Sequence, residues 1–175
     1  MVPRPAAPRT GGQTAYPGVG DLGGERLARV HRRVLSWYAA HARPLPWRDP
    51  ATGPWGVFVS ELMSHQTPVA RVEPAWRQWL ARWPTPAALA AEPAGEAVRA
   101  WGRLGYPRRA LRLHEAARAM VDRHAGRVPD TVDALLALPG VGTYTAAAVA
   151  SFAFGVPVPV VDVNVRRVLA RAVTG

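Results

Sequence analysis

Leu138-Pro-Gly-Val-Gly142-Thr143-Tyr144-Thr145, continued by an alanine-rich run to Phe154 and then by Val161-Asp162-Val163-Asn164, is the stretch whose reading decides the fold. Gly140 and Gly142 suit a tight turn through positive φ with unshielded backbone N–H groups, and Thr143 is placed to cap the helix that follows. Those N–H groups, aimed along the positive end of a helix, can hold one phosphate oxygen of a nucleic-acid backbone while reading no base. The hairpin over residues 138–145 therefore joins a phosphate grip to an acid, Asp162, just beyond the next helix. An ordinary link between two helices would carry the same glycines, because Gly-x-Gly alone is a weak signal. The full ordered string is what carries weight.

Composition agrees with a polyanionic partner. The chain of 175 residues has 22 Lys plus Arg against 12 Asp plus Glu, a net charge of +10 and a pI near 11.5. All 22 of those cations are arginine. A guanidinium is planar and clamps phosphate through two hydrogen bonds, so this is a nucleic-acid footprint. GC-rich coding gives the same bias, and the charge counts only together with the motif. Without lysine, no internal amine of these residues can form the Schiff base by which some enzymes cut DNA at a damaged base.

Cysteine is absent too, which rules out a disulfide, a thiolate-bound metal or an iron–sulfur cluster held by these 175 residues. The histidines at 31, 41, 65, 114 and 124 have no zinc spacing, so no metal site is expected. No apolar run approaches the roughly 18 residues of a membrane span, and the N-terminus lacks the apolar core of a signal peptide. The expectation is a cytoplasmic, nucleoid-associated bacterial protein that acts as a monomer and touches no membrane.

Around the hairpin the punctuation is helical. Residues 1–24 are rich in Pro, Gly, Ala and Arg and read as a disordered basic leader. Residues 25–175 suit one all-α domain. Leu27, Val30, Val34 and Trp37 mark a first helix over Glu25 to Ala40, stopped by the Pro-rich segment 43–50. Trp55 to His65 carries Phe58 and Leu62 on one face, beside Val59 and Met63. Thr67-Pro68 reads as an N-cap and first-turn proline opening a helix with Val69, Val72, Trp76, Leu80 and Trp83 in one stripe, and Thr85-Pro86 repeats that signal. Further helices are expected over Pro93 to Leu104, Pro107 to Ala125, Thr131 to Leu138, Thr143 to Phe154 and Val163 to Ala172. Only Val156 to Val161 reads as extended, and its two prolines argue against a central strand.

Two acids stand out by setting. Glu61 lies among Val57, Phe58, Val59, Leu62 and Met63, which could desolvate it and raise its pKa into the range of a general acid. Asp162 precedes a helix, whose N-terminus favours the ionised form. One protonated and one charged carboxyl suit glycosidic cleavage, the first protonating the leaving group and the second stabilising an oxocarbenium-like sugar. Taken singly, each has a plainer reading, Glu61 as a solvated helix residue and Asp162 as an N-cap.

With these residues in place, the chain resembles the helix-hairpin-helix DNA glycosylases, and within them the adenine DNA glycosylases that remove adenine mispaired with 8-oxoguanine or guanine. The resemblance runs from about Glu25 to Ala172. It rests on Arg43-Pro-Leu-Pro-Trp47-Arg48, Val59-Ser-Glu61-Leu-Met63 with Gln66-Thr67, Trp101-Gly-Arg-Leu104-Gly105-Tyr106, the hairpin Leu138, Gly140, Val141, Gly142 and Thr143, and Asp162-Val-Asn164 continuing to Arg171. It implies that Glu61 protonates adenine at N7 and that Asp162 stabilises or briefly captures the cation at C1′, with Tyr144 and Asn164 as polar supports. It implies that Gln66 and Tyr106 enter the base stack of double-stranded DNA beside Thr67 and Leu104, and that Arg43 and Trp47 line the adenine pocket. Ordinary packing is the competing reading for Trp47, Trp101 and Tyr106, favoured for Trp101 and disfavoured for Tyr106. Tyr144 stands where the related glycosylase-lyases, such as endonuclease III, carry their catalytic lysine.

There are three departures from the family pattern. His65 replaces a usual glutamine, Pro107 follows Tyr106 where a second aromatic is common, and the residues end at Gly175. The family continues with four cysteines that bind a four-iron four-sulfur cluster, and with a domain that recognises 8-oxoguanine. The expectation is thus a glycosylase fold truncated before the cluster region, with no cofactor of its own, marginally stable and weakly active, whose Leu27, Val30, Val34 and Trp37 stripe lacks its partner. Two further readings stay open: a non-catalytic DNA-binding fragment, and a glycosylase-lyase for oxidised pyrimidines, disfavoured by the missing lysine.

Overall fold

A computed structural model describes residues 24–171, and every regular element among them is helical. The leader expected over residues 1–24 lies outside the described residues except for Gly24, as does the last residue of the helix expected to end at Ala172. The chain divides into two compact units, Met1–Ala42 and Arg43–Gly175. In the first, α1 spans Gly24–His41, with acidic Glu25 in its first turn and His41 stacked on Trp37 at 4.8 Å in its last. Its Leu27, Val30, Val34 and Trp37 are exposed.

In the second unit two short 3-10 turns, Pro46–Arg48 and Pro50–Thr52, occupy the Pro-rich segment and lead into α2, Gly53–Ser64. Then come α3 (Val69–Arg82), α4 (Pro86–Ala90), α5 (Ala94–Trp101), α6 (Arg108–His124), α7 (Val132–Leu136), α8 (Thr143–Phe154) and α9 (Val163–Leu169). Helix α2 is the axis of the core, packed between α3 and α8. Phe58, Val59, Leu62 and Met63 are all buried, so it is apolar nearly all round. From α8 it meets Ala146, Val149 and Ala150, whose small side chains let the two helix backbones approach closely. Below α2 the core is tryptophan-rich. Trp79 meets Trp83 edge-on at 4.6 Å and Trp101 at 5.7 Å, and Trp55 and Trp76 donate their indole N–H groups to the carbonyls of Trp83 and Gly56.

Three local expectations are corrected. Thr67 does not cap α3: Pro68 stands at the N-cap with no side-chain bond, and the Thr67 hydroxyl donates instead to the carbonyls of His65 and Leu104. Thr85, by contrast, does cap α4, accepting from the N–H of Ala88. Thr143 does not cap α8 either, because it is already the first helical residue and Gly142 holds the N-cap. Helix α5 stops at Trp101, short of Leu104, because Gly102 turns the chain at φ 55°. Residues 156–161 are irregular, as their prolines require.

Candidate active site

The close packing of α2 on α8 brings Glu61, near the end of one helix, to Tyr144 in the first turn of the other. The two side chains are hydrogen-bonded. Burial raises the Glu61 carboxyl from its ordinary 4.5 to about 7, and the bond from Tyr144 offsets part of that rise. The Tyr144 hydroxyl is pushed up to about 12, first by burial and then by the negative charges of Glu61 and Asp162. Tyr144 therefore stands within the field of both acids.

Asp162 serves two purposes in the backbone. It is the N-cap of α9, its Oδ1 accepting from the N–H of Val165 at 2.7 Å, and its Oδ2 accepts from the Asn164 amide at 3.0 Å. These bonds, that of Val165 foremost, hold its carboxyl below the usual range. The site thus contains one carboxyl that is protonated well into the neutral range and one that is ionised, each for a separate physical reason.

Beside it lies the hairpin. Leu138 is buried, Val141 packs partly against the core, and the N–H of Val141 donates to the carbonyl of Leu138 to close the turn. Gly140 has φ 76°, and a Cβ there would lie 2.6 Å from the Cβ of Arg112 on α6, so only glycine fits on both counts. Gly142 is extended, not left-handed, so the positive φ expected of both glycines belongs to Gly140 alone. No side chain caps α8, which leaves its first-turn N–H groups open toward Gly142 and Thr143 at the surface.

A third group is a pair of loops, residues 65–67 and 104–106. Gln66 and Tyr106 are exposed and adopt the left-handed conformation, φ 53° and 48°, which costs a non-glycine residue of order 1 kcal/mol. Thr67 and Leu104 are buried beneath them and joined by the hydroxyl-to-carbonyl bond at 3.2 Å. Trp101 is core, its indole N–H donating to the carbonyl of Gly105, whereas Tyr106 is 64% exposed. Trp47 is half-buried and meets Trp76 edge-on at 5.8 Å, which is a packing contact. Arg43 is exposed, and its carbonyl accepts from the guanidinium of Arg48.

Two residues at the site were not singled out by sequence reasoning. His65, noted there only as a departure from a family pattern, is half-buried, shares a 3.2 Å hydrogen bond with Thr145 and faces the Tyr144 ring at 6.4 Å. Burial, with Arg109 second, keeps its imidazole neutral below the usual histidine value. Arg109 itself fills the space between the two loops. The cluster-binding cysteines that the resemblance implies have no counterpart in these 175 residues, so no donor here fits an iron–sulfur cluster.

Residues 59–173 match the HhH-GPD superfamily base excision DNA repair protein family, and the chain belongs to it. It is similar to the adenine DNA glycosylase of Mycobacterium tuberculosis (strain ATCC 25618 / H37Rv), with 56% identity over 142 residues, 81% of this chain and 47% of that protein. It therefore spans about half the length of that curated relative. Among solved structures it is similar to a thermostable thymine-DNA glycosylase, at 29% identity and TM-score 0.78, covering 86% of this chain and 69% of that one. It is also similar to endonuclease III in a non-covalent complex with DNA, at 28% identity and TM-score 0.74, covering 85% and 68%.

Proposed function

We propose that this chain carries the catalytic machinery of a monofunctional adenine DNA glycosylase acting on adenine opposite 8-oxoguanine or guanine in duplex DNA. The observation that carries the reading is Tyr144, bonded to a Glu61 carboxyl raised to about 7 and within the field of the Asp162 carboxylate. Glu61 gives its proton to N7 of an extruded adenine, the C1′–N9 bond breaks with its electron pair leaving on the base, and Asp162 stabilises the cation at C1′. Water then adds at C1′ and loses its proton to the carboxylate left on Glu61, giving free adenine and an abasic site. Burial holds Glu61 protonated, Tyr144 limits how far its pKa rises, and Asn164 helps to keep Asp162 ionised. The open N–H groups of the hairpin at Gly142 and Thr143 take a backbone phosphate, and Gln66 and Tyr106 enter the stack.

The similarity to proteins named adenine DNA glycosylase supports the choice of base. Tyr144 in place of a lysine supports hydrolysis without strand cleavage. The test is incubation with a duplex that contains one adenine opposite 8-oxoguanine. The expected product is an abasic strand that breaks only after alkali, with no adduct trapped by borohydride. Direct strand cleavage or a trapped adduct would replace this reading by a glycosylase-lyase, and tight binding without product by a DNA-binding fragment.

A further inference from the structure

Arg109, in the first turn of α6, donates to six acceptors. One terminal nitrogen reaches the carbonyls of Leu62 at 3.2 Å, Met63 at 3.1 Å and His65. The other reaches the Thr67 hydroxyl at 2.9 Å and the carbonyls of Leu104 and Gly105, both at 3.1 Å. Its guanidinium also lies over the rings of Trp101 at 5.2 Å and Tyr106 at 5.5 Å. Four N–H hydrogens shared among six acceptors require a planar fork, and a lysine ammonium, with three hydrogens on one point, cannot reproduce it.

The positions of the acceptors give these bonds their meaning. Leu62 and Met63 lie in the last turn of α2, directly after Glu61, so Arg109 satisfies carbonyls at the C-terminal end of the helix that bears the acid. His65 and Thr67 flank Gln66, while Leu104 and Gly105 precede Tyr106. Gln66 and Tyr106 are 40 positions apart in the chain, and both are left-handed non-glycine residues at the surface. Neither residue is a glycine, and one side chain is bonded to the backbone beside both.

We propose that Arg109 is the positioning residue for base extrusion: it locks Gln66 and Tyr106 into one preformed edge, set at a fixed distance from Glu61, before DNA arrives. The inference rests on the reading that these two residues enter the base stack. A preformed edge lowers the barrier to extruding a paired adenine and does little for an adenine that is already unstacked. Arg109 touches no reacting atom, and the chemistry of Glu61 does not pass through it.

The test compares two substrates in the full-length protein under single-turnover conditions: adenine opposite 8-oxoguanine, and adenine opposite a one-nucleotide gap, where little stacking must be broken. Arg109→Lys is expected to slow excision from the first by roughly 10²-fold, the scale of misplacement by an ångström, and from the second by only a few-fold. In a Glu61→Gln background, 2-aminopurine at the target position is expected to brighten on binding with Arg109 present and to stay quenched with Arg109→Lys. Equal losses on the two substrates, or no loss on either, would overturn the proposal. If Arg109→Lys does not fold, Thr67→Val, which deletes one acceptor at near-constant volume, decides: it should shift the ratio of the two rates in the same direction, and an unchanged ratio would overturn the proposal. No release from either substrate by the unaltered protein is a failure of the functional reading itself and is distinguishable from both results.

Discussion

The hydroxyl of Tyr144 and the carboxyl of Glu61 are hydrogen-bonded across the α2–α8 interface, and this bond opposes the effect of burial on the acid. Burial alone would carry Glu61 higher, and Tyr144 brings it back to about 7. The protonated form that acts as the acid is lost as pH rises through that value, so single-turnover excision should fall tenfold per pH unit well above it. Tyr144→Phe removes the opposing bond, and the alkaline limb should move to higher pH. A limb that stays fixed or moves down would separate Tyr144 from the acid.

The same shift affects stability. From 4.5 to about 7 the native state holds a proton that the unfolded chain releases, so stability drops as pH rises through this window, by at most about 3 kcal/mol. Glu61→Gln keeps the shape and removes the charge. It should therefore raise Tm at pH 8 by clearly more than at pH 5, while abolishing excision and leaving duplex binding nearly intact. Equal Tm changes at the two pH values would mean that Glu61 is solvated.

Asp162 has a structural duty and a chemical one, and Asp162→Asn parts them. The amide oxygen can still accept from Val165, so the start of α9 and the circular dichroism spectrum should be unchanged. Excision should disappear for want of a negative charge near C1′. Asn164→Ala, which deletes a bond that lowers the Asp162 pKa, should shift the acid limb of the rate profile to higher pH. Substantial turnover in Asp162→Asn would remove the aspartate from the chemistry.

Gly140→Ala should be costly, because the new methyl meets the Arg112 Cβ at 2.6 Å and the residue must hold φ 76°. The conformational term alone is roughly 1–2 kcal/mol. Thermal unfolding should show that loss, and DNA affinity should weaken as the hairpin shifts. Gly142→Ala, at an extended position with open space around its Cβ, should leave Tm nearly unchanged and serves as the comparison.

The legible parts of this protein are those whose physics is local. Thr85-Pro86 announces α4, the alanine run announces α8, and Glu61 among apolar neighbours announces a desolvated acid, because each depends on residues close in the chain. Thr67 reads as a cap for the same reason, yet its hydroxyl reaches Leu104, 37 positions away, and nothing nearby in sequence encodes that preference. Thr143 reads as a cap although Gly142 already occupies the turn. Arg109 was hidden among the 22 arginines, since composition does not distinguish a guanidinium enclosed by carbonyls from one in water. The influence of both Glu61 and Asp162 on Tyr144 is a tertiary fact of the same kind, since it depends on α8 packing against α2.

The indole of Trp101 sits in the tryptophan core and donates to the carbonyl of Gly105, one residue before the exposed Tyr106. The molecule is thereby fitted with an internal optical probe. Excitation energy collected by Trp79 and Trp83 can pass to a chromophore joined by one hydrogen bond to the loop that bears Tyr106. If DNA engages that loop, the expected sign is a change in emission from the native chain, with no dye and no label attached.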